Sequence, residues 1–320
     1  MKAKAWQYIV GWGITVIALY FAFRSIEWDS FIAALSSADL HLVFLALLLT
    51  ISSYLMRARR WQFLFGESPL AYFDAVRVLF LGFFMNNVFP ARAGEIVRAH
   101  MGSKVSGERR SFVLATVAAE RLADGVTLSL LFALCAVGVR STGIAKELLY
   151  VAALFGVAGV AVGLVLALRT RVYRFLHWLE SKFQNKYSSY FLSRVEVFLK
   201  GLEPLCTPKM LAGIVIWSIV VWGVELLAYV QISKAFGVSL SFSSTVLFLV
   251  AVNFSSLVPL APGAIGVIEA FASAALVAVG IDRELALAMV VTQHMMQYVV
   301  VGLPGAFSML TWRKQVDVVS

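Results

Sequence analysis

Apolar residues fill this chain in long unbroken runs, and polar residues punctuate them. Runs cover Trp6 to Phe23, Leu42 to Met56, Ser111 to Val139, Leu148 to Leu168, Leu211 to Ser233 and Leu285 to Leu310. About 20 apolar residues carry a helix across the hydrocarbon core of a bilayer, so these read as six crossing helices. Two further apolar segments, Ala75 to Met101 and Ser243 to Gly280, are interrupted in the middle. The interruptions are Asn86-Asn87-Val88-Phe89-Pro90-Ala91-Arg92-Ala93-Gly94-Glu95 and Asn253 to Gly263, the latter holding Pro259 and Pro262. Proline lacks an N–H and clashes with the preceding turn, so a helix kinks or stops there. The apolar piece before each break is too short to span, and each segment reads as a re-entrant helical hairpin.

Charge sets the expected orientation. Lys2 and Lys4 precede the first run, which Arg24 follows without a small-residue cleavage pattern, so it reads as an uncleaved helix. Arg57, Arg59 and Arg60 follow the second run, a basic tract follows Leu168, and Arg313 and Lys314 close the last helix. The positive-inside rule assigns all of these to the cytoplasm. Six crossings from a cytoplasmic N-terminus meet every assignment, with both termini inside, provided the two broken segments do not cross. The first hairpin, flanked by Arg57 to Arg60 and by Lys104, Arg109 and Arg110, then enters from the cytoplasm, and the second enters from the opposite face.

The hairpins look like two copies of one unit. Val78-Leu79-Phe80-Leu81 before Pro90 is matched by an identical Val246-Leu247-Phe248-Leu249 before Pro259. Downstream, Arg110, Leu114, Ala115, Val117, Glu120, Arg121 and Asp124 align with Arg283, Leu287, Ala288, Val290, Gln293, His294 and Gln297. The expected fold is therefore an all-α polytopic membrane protein. It forms a single transmembrane domain over 1–320, with a first repeat at 40–140 (hairpin 75–101), a basic interfacial segment at 169–208, and a second, inverted repeat at 209–312 (hairpin 243–280). Inverted repeats of this kind build alternating-access carriers whose site lies near the midplane, where broken helices meet.

A charged side chain in the bilayer centre is costly, so it faces a cavity and a partner. Glu120, Arg121 and Asp124 share one helical stripe, in which Arg121 is expected to pair with Asp124 and to leave Glu120 as a titratable acid. Gln293, His294 and Gln297 form the matching stripe, and His294 is the imidazole placed to titrate near neutral pH. A buried ion pair that merely locks helices together explains the first stripe equally simply. At the first hairpin, the returning helix begins near Ala91 or Ala93 and presents free N–H groups to an anion, with Arg92, Arg98 and Arg121 to bind phosphate, Asn86 and Glu95 to orient the arginines or contact a polar headgroup, and Asn87 as a further candidate. Asn253, Gly263 and Glu269 are the corresponding positions of the second hairpin. Glu225 is a further intramembrane acid, and Arg57 is its counterpart by offset.

Composition changes the picture chiefly by exclusion. With 61% hydrophobic and 14% charged residues, against roughly 25% charged in a soluble domain, a soluble enzyme is set aside. A net charge of +9 fits cytoplasmic loops and anionic lipid, and nucleic acid is set aside as a partner. Two cysteines and four scattered histidines provide no zinc site. No metal, no cofactor and no enzymatic activity are expected. Val172, Phe175, Leu176, Leu179 and Phe183 recur among basic residues at helical spacing, as in a helix lying in the membrane interface.

Asn86-x-x-x-Pro90-x-Arg92-x-Gly94-Glu95-x-x-Arg98, with Glu120-Arg121-x-x-Asp124 and Pro259-x-x-Pro262-Gly263-x-x-Gly266-x-x-Glu269, resembles the lysylphosphatidylglycerol synthase transmembrane region family, also called flippase-like domain proteins. The likeness covers nearly the whole chain. It implies a stand-alone member without the soluble synthase domain, placed in the cytoplasmic (inner) membrane. The implied function is flippase-like movement of an anionic phospholipid or lipid-linked headgroup between leaflets, with that lipid as partner. An ion- or proton-coupled carrier of a small anion, and a membrane scaffold for a separate lipid-synthesising enzyme or glycosyltransferase, remain open alternatives, as does a homodimer.

Overall fold

The computed structural model describes residues 2–67, 70–89, 92–135, 168–182, 207–257 and 261–319, with scattered positions between 150 and 202. The described residues form eleven α-helices and one 3-10 turn, with no strand. In chain order they are α1 (Lys2–Phe23), α2 (Trp28–Ser36), α3 (Leu40–Phe63), α4 (Tyr72–Val88), α5 (Ala93–Ser106), α6 (Arg110–Cys135), α7 (Arg169–Lys182), α8 (Pro208–Ala235), α9 (Phe242–Ser255), the turn Pro262–Ala264, α10 (Val267–Val277) and α11 (Arg283–Val319). Among the described residues, three stretches are long and apolar enough to cross a membrane: Leu40–Leu64, Pro208–Ala235 and Arg283–Trp312. Most of the expected crossing at Leu148 to Leu168 lies outside the described residues, as do Pro90, Pro259, Cys206 and the basic tract beyond Lys182, apart from isolated positions.

Local chemistry sets the helix starts. The Asp39 carboxylate accepts the N–H groups of His41 at 2.8 Å and Leu42 at 3.4 Å, capping α3. Thr207 caps α8 ahead of Pro208, and Ser241 caps α9. Gly107, at φ 75°, ends α5 in the left-handed conformation that a side chain would resist.

The helices are arranged as two similar groups around a central pair. α3 packs along α8. α4 and α5 pack side by side as one hairpin, and α9 and α10 as another; α5 then packs on α6, and α10 on α11. Across the middle, α4 lies against α11 and α6 against α9. The quadruplets that match in sequence occupy matching interiors, since Val78 to Leu81 and Val246 to Leu249 are all buried. α9 is buried on every side from Thr245 to Val252, as expected of a helix that is apolar all round.

Several sequence expectations shift. Asn86 and Asn87 form the last turn of α4, and Asn253 lies in α9, so each break begins later than its polar residues suggest. The stretch after the first helix that carries Glu27 and Asp29 contains a helix of its own, α2. Arg57 to Arg60, read as a flanking charge cluster, lie within α3, where Arg57 and Arg60 are buried. Arginines at i and i+3 fall on the helix face turned toward α6 and α8. α11 runs through Pro304 without ending, and the adjacent Gly305 packs so closely on α4 that a Cβ there would lie 2.3 Å from Phe84 Cβ.

Candidate functional site

Both hairpin tips hold unusual backbone. Arg92, the residue before α5, has φ 52° and ψ 40°. In the second tip, Gly263 (φ 56°) and Ala264 (φ 55°) are also left-handed. Non-glycine residues adopt this region rarely, and they persist where surrounding contacts hold them. At the first tip that contact is Asn86, whose Oδ1 accepts the Gly94 N–H at 2.8 Å and ties the end of α4 to the start of α5. Gly94 has to be glycine there, because a Cβ would lie 1.8 Å from the Gly82 carbonyl oxygen. At the second tip, the Glu269 carboxylate accepts the Gly266 N–H at 2.6 Å, and its other oxygen lies 2.6 Å from His294 Nδ1. His294 Nε2 is 3.2 Å from the Gly263 carbonyl, so the ring joins α11 to both ends of the tip. The N–H groups expected to await an anion at each helix start are therefore partly engaged by the protein's own side chains.

Behind the tips lies an ion network. Arg98 of α5 forms a two-pronged pair with Glu120 of α6 at 3.1 and 2.9 Å, while its guanidinium lies over Trp61, 4.5 Å from the ring centre. Arg121 also pairs with Glu120, and it lies 3.8 Å from Glu95 and 3.7 Å from Asp124. Asp124 accepts from Arg60 at 2.7 Å and from the Trp222 indole N–H at 3.1 Å. Arg57 lies between Asp124, at 3.6 Å, and Glu225, at 3.7 Å, and Ser53 donates to Glu225. Arg92 lies 3.6 Å from Glu95. Five guanidinium groups thus meet four carboxylates among the described residues, leaving one positive charge in excess. Glu120 is not the free acid expected from spacing; it is fully buried between two arginines. Arg98, expected to reach phosphate, is committed to Glu120.

A cavity of about 260 Å³ opens where the two tips converge. Of the sequence candidates, Asn86, Asn87, Arg92, Arg121, Asp124, Asn253, Gly263, His294 and Gln297 line it. Glu95, Arg98, Glu120 and Glu269 stand behind these residues as their ion-pair partners, or those of their neighbours, and Gln293 is buried in α11 away from the lining. Arg92 and Arg121 are the more open guanidinium groups, with side chains 28% and 23% exposed, whereas Arg57, Arg60 and Arg98 are nearly closed off. Sequence reasoning assigned no site role to the lining residues Tyr54, Arg57, Trp222, Glu225 and Tyr298. Glu225 carried a signal as a lone acid in an apolar run; Arg57 was masked by the basic residues beside it. The aromatic residues resemble ordinary membrane-helix residues until the tertiary structure brings them together. Among the described residues, no group of three His, Cys, Asp or Glu side chains could hold a metal ion.

The profile of the family described as the lysylphosphatidylglycerol synthase TM region matches residues 8–305. The chain belongs to this family. Its relatives include a UPF0104 membrane protein of Pyrococcus horikoshii, 25% identical over 94% of this chain and 96% of its own length. Another UPF0104 membrane protein, from Methanothermobacter thermautotrophicus, is 27% identical over 86% of this chain and 84% of its own. The glycosyltransferase AglD of Haloferax volcanii is 27% identical over 95% of this chain, which spans 54% of that longer protein. Like its family, this lysylphosphatidylglycerol synthase TM region chain is a helical membrane protein.

Proposed function

We propose that the chain carries an anionic lipid headgroup between the leaflets of the cytoplasmic membrane. On this reading, six helices cross the bilayer, the α4–α5 and α9–α10 hairpins dip in from opposite faces, both termini are cytoplasmic, and no covalent chemistry is performed. The observation that carries it is the cavity bounded by both tips and lined by Arg92 and Arg121, whose network sets five guanidinium groups against four carboxylates. Paired guanidinium groups suit a phosphate, while amides at Asn87, Asn253 and Gln297 suit the polar remainder of a headgroup. Each helix pair packs on its partner in both halves, which supports an inverted repeat able to rock about the site.

The test is headgroup accessibility in sealed proteoliposomes containing fluorescent phosphatidylglycerol, measured by dithionite quenching. The wild-type chain is expected to render the inner-leaflet label accessible, and an R92Q/R121Q variant of equal thermal stability to slow this at least tenfold. Equal rates for protein-free and protein-containing vesicles with every anionic lipid tried would overturn the reading. Uptake of a water-soluble phosphate ester into the lumen instead would identify a small-anion carrier. The long relative named as a glycosyltransferase favours a second reading, in which this module supports a separate lipid-modifying enzyme. That reading predicts unchanged product formation by such a partner when Arg92 and Arg121 are neutralised.

A further inference from the structure

A second cavity, of about 360 Å³, lies on the flank of the molecule where the end of α1 meets α10 and the start of α11. One wall is a run of small residues on α10, with Ala270 and Ala274 on one face and Ala278 just beyond its end; Phe21 and Leu287 also line it. Ala274 and Ala278 are exposed in this groove, and their short side chains keep its wall shallow. Phe21 and Val277 at its edge are exposed hydrophobic side chains, so an apolar chain from the surrounding lipid has a route in. Tyr20, next to Phe21 in sequence, and Trp28 are also exposed, and these are the residue types that settle at the membrane–water boundary.

Arg24 and Arg283 line the same cavity. Among the described residues neither makes an ion pair; Arg24 lies over the Phe21 ring, 4.9 Å from its centre. Three acids, Glu27, Asp282 and Glu284, lie close by in sequence, and none is ion-paired to either arginine among the described residues. A Glu284 carboxylate oxygen accepts the Glu27 backbone N–H at 3.4 Å, and Glu27 accepts from Ser30 at 3.4 Å. Two guanidinium groups without an ion-pair partner among the described residues, lining a groove walled largely by alanines, match an anionic amphiphile, with phosphate outside and hydrocarbon within.

We propose that this flank binds one anionic glycerophospholipid, its phosphate held by Arg24 and Arg283 and one acyl chain lying between α1 and α10. The lipid would brace α1 against the second hairpin, where Gly266 already touches it so closely that a Cβ would lie 2.7 Å from the Leu19 backbone nitrogen. This site needs only a surrounding bilayer and stands apart from the transport reading.

Native mass spectrometry of the full chain from nanodiscs containing phosphatidylglycerol and phosphatidylcholine tests it. One tightly held phosphatidylglycerol is expected on the wild type and on R24K/R283K. At least tenfold less is expected on R24Q/R283Q and on A274W, which fills the groove while keeping both charges. R92Q/R121Q is expected to retain the lipid, so loss of leaflet exchange and loss of this site remain separable. Unchanged retention by R24Q/R283Q, equal retention of phosphatidylcholine, or displacement by millimolar inorganic phosphate would each overturn the proposal.

Discussion

At the scale of single residues, the network sorts charges into those that hold the protein together and those that face the cavity. Arg98 and Glu120 are almost fully buried and bonded through both prongs. Removing one partner of such a pair leaves an uncompensated buried charge, which costs about 3–5 kcal/mol. Glu120→Gln is therefore expected to lower the unfolding midpoint sharply in detergent, and R98M/E120L to recover part of the loss; equal midpoints for wild type and Glu120→Gln would show that the pair contributes nothing. Arg92 is more open, and Arg92→Gln is expected to change stability by under about 1 kcal/mol. His294 is a positioning residue. Its ring nitrogens lie beside the Glu269 carboxylate and the Gly263 carbonyl, so the ring ties α11 to the tip. His294→Leu removes both links, so amide hydrogen exchange at Gly263 to Gly266 is expected to accelerate, with little change in α3. Unchanged exchange at the tip would mean the ring does not hold it.

At the scale of elements, the hairpins depend on close approach. The Gly82 carbonyl lies where a Gly94 side chain would be, and a Gly82 Cβ would lie 2.2 Å from Arg98 Cγ. Gly94→Ala is expected to separate α4 from α5 and to abolish the Asn86 cap, with a loss of more than about 2 kcal/mol for overpacking and a lost cap together. Gly223→Ala in α8 meets nothing within 4 Å and is expected to be neutral or to gain up to about 1 kcal/mol from helix propensity. Thermal unfolding of the pair checks the contrast, and a neutral Gly94→Ala would rule out the tight α4–α5 contact. These glycines sit in sequence among many others; what distinguishes them is a neighbouring backbone that only folding brings near.

At the scale of the whole molecule, the expected opposition of the two halves is directly measurable. In a background lacking Cys135 and Cys206, a cysteine at Ser103 is expected to react with a membrane-impermeant maleimide from the same face as the C-terminus, and one at Asp282 from the opposite face. Labelling of both from one side would rule out the inverted arrangement, whatever the cavity does.

Long apolar runs, two proline-broken segments and the matched quadruplets at Val78 and Val246 were enough to predict a helical membrane protein with two hairpins packed as similar units, because hydrophobic length and helix-breaking chemistry are local properties. Arg92, Arg121, Asp124 and His294 could be chosen for the same reason, since a charge or imidazole within an apolar stretch is conspicuous in one dimension. Which charge serves which purpose was decided in three dimensions. The bond from Arg98 to Glu120, the burial of Arg57 and Arg60 and the recruitment of Tyr54 and Trp222 to the cavity wall depend on helices far apart in the chain meeting at particular angles. A side chain's pairing energy depends on the distance and burial of its partner, and neither is written in the spacing of residues along one helix.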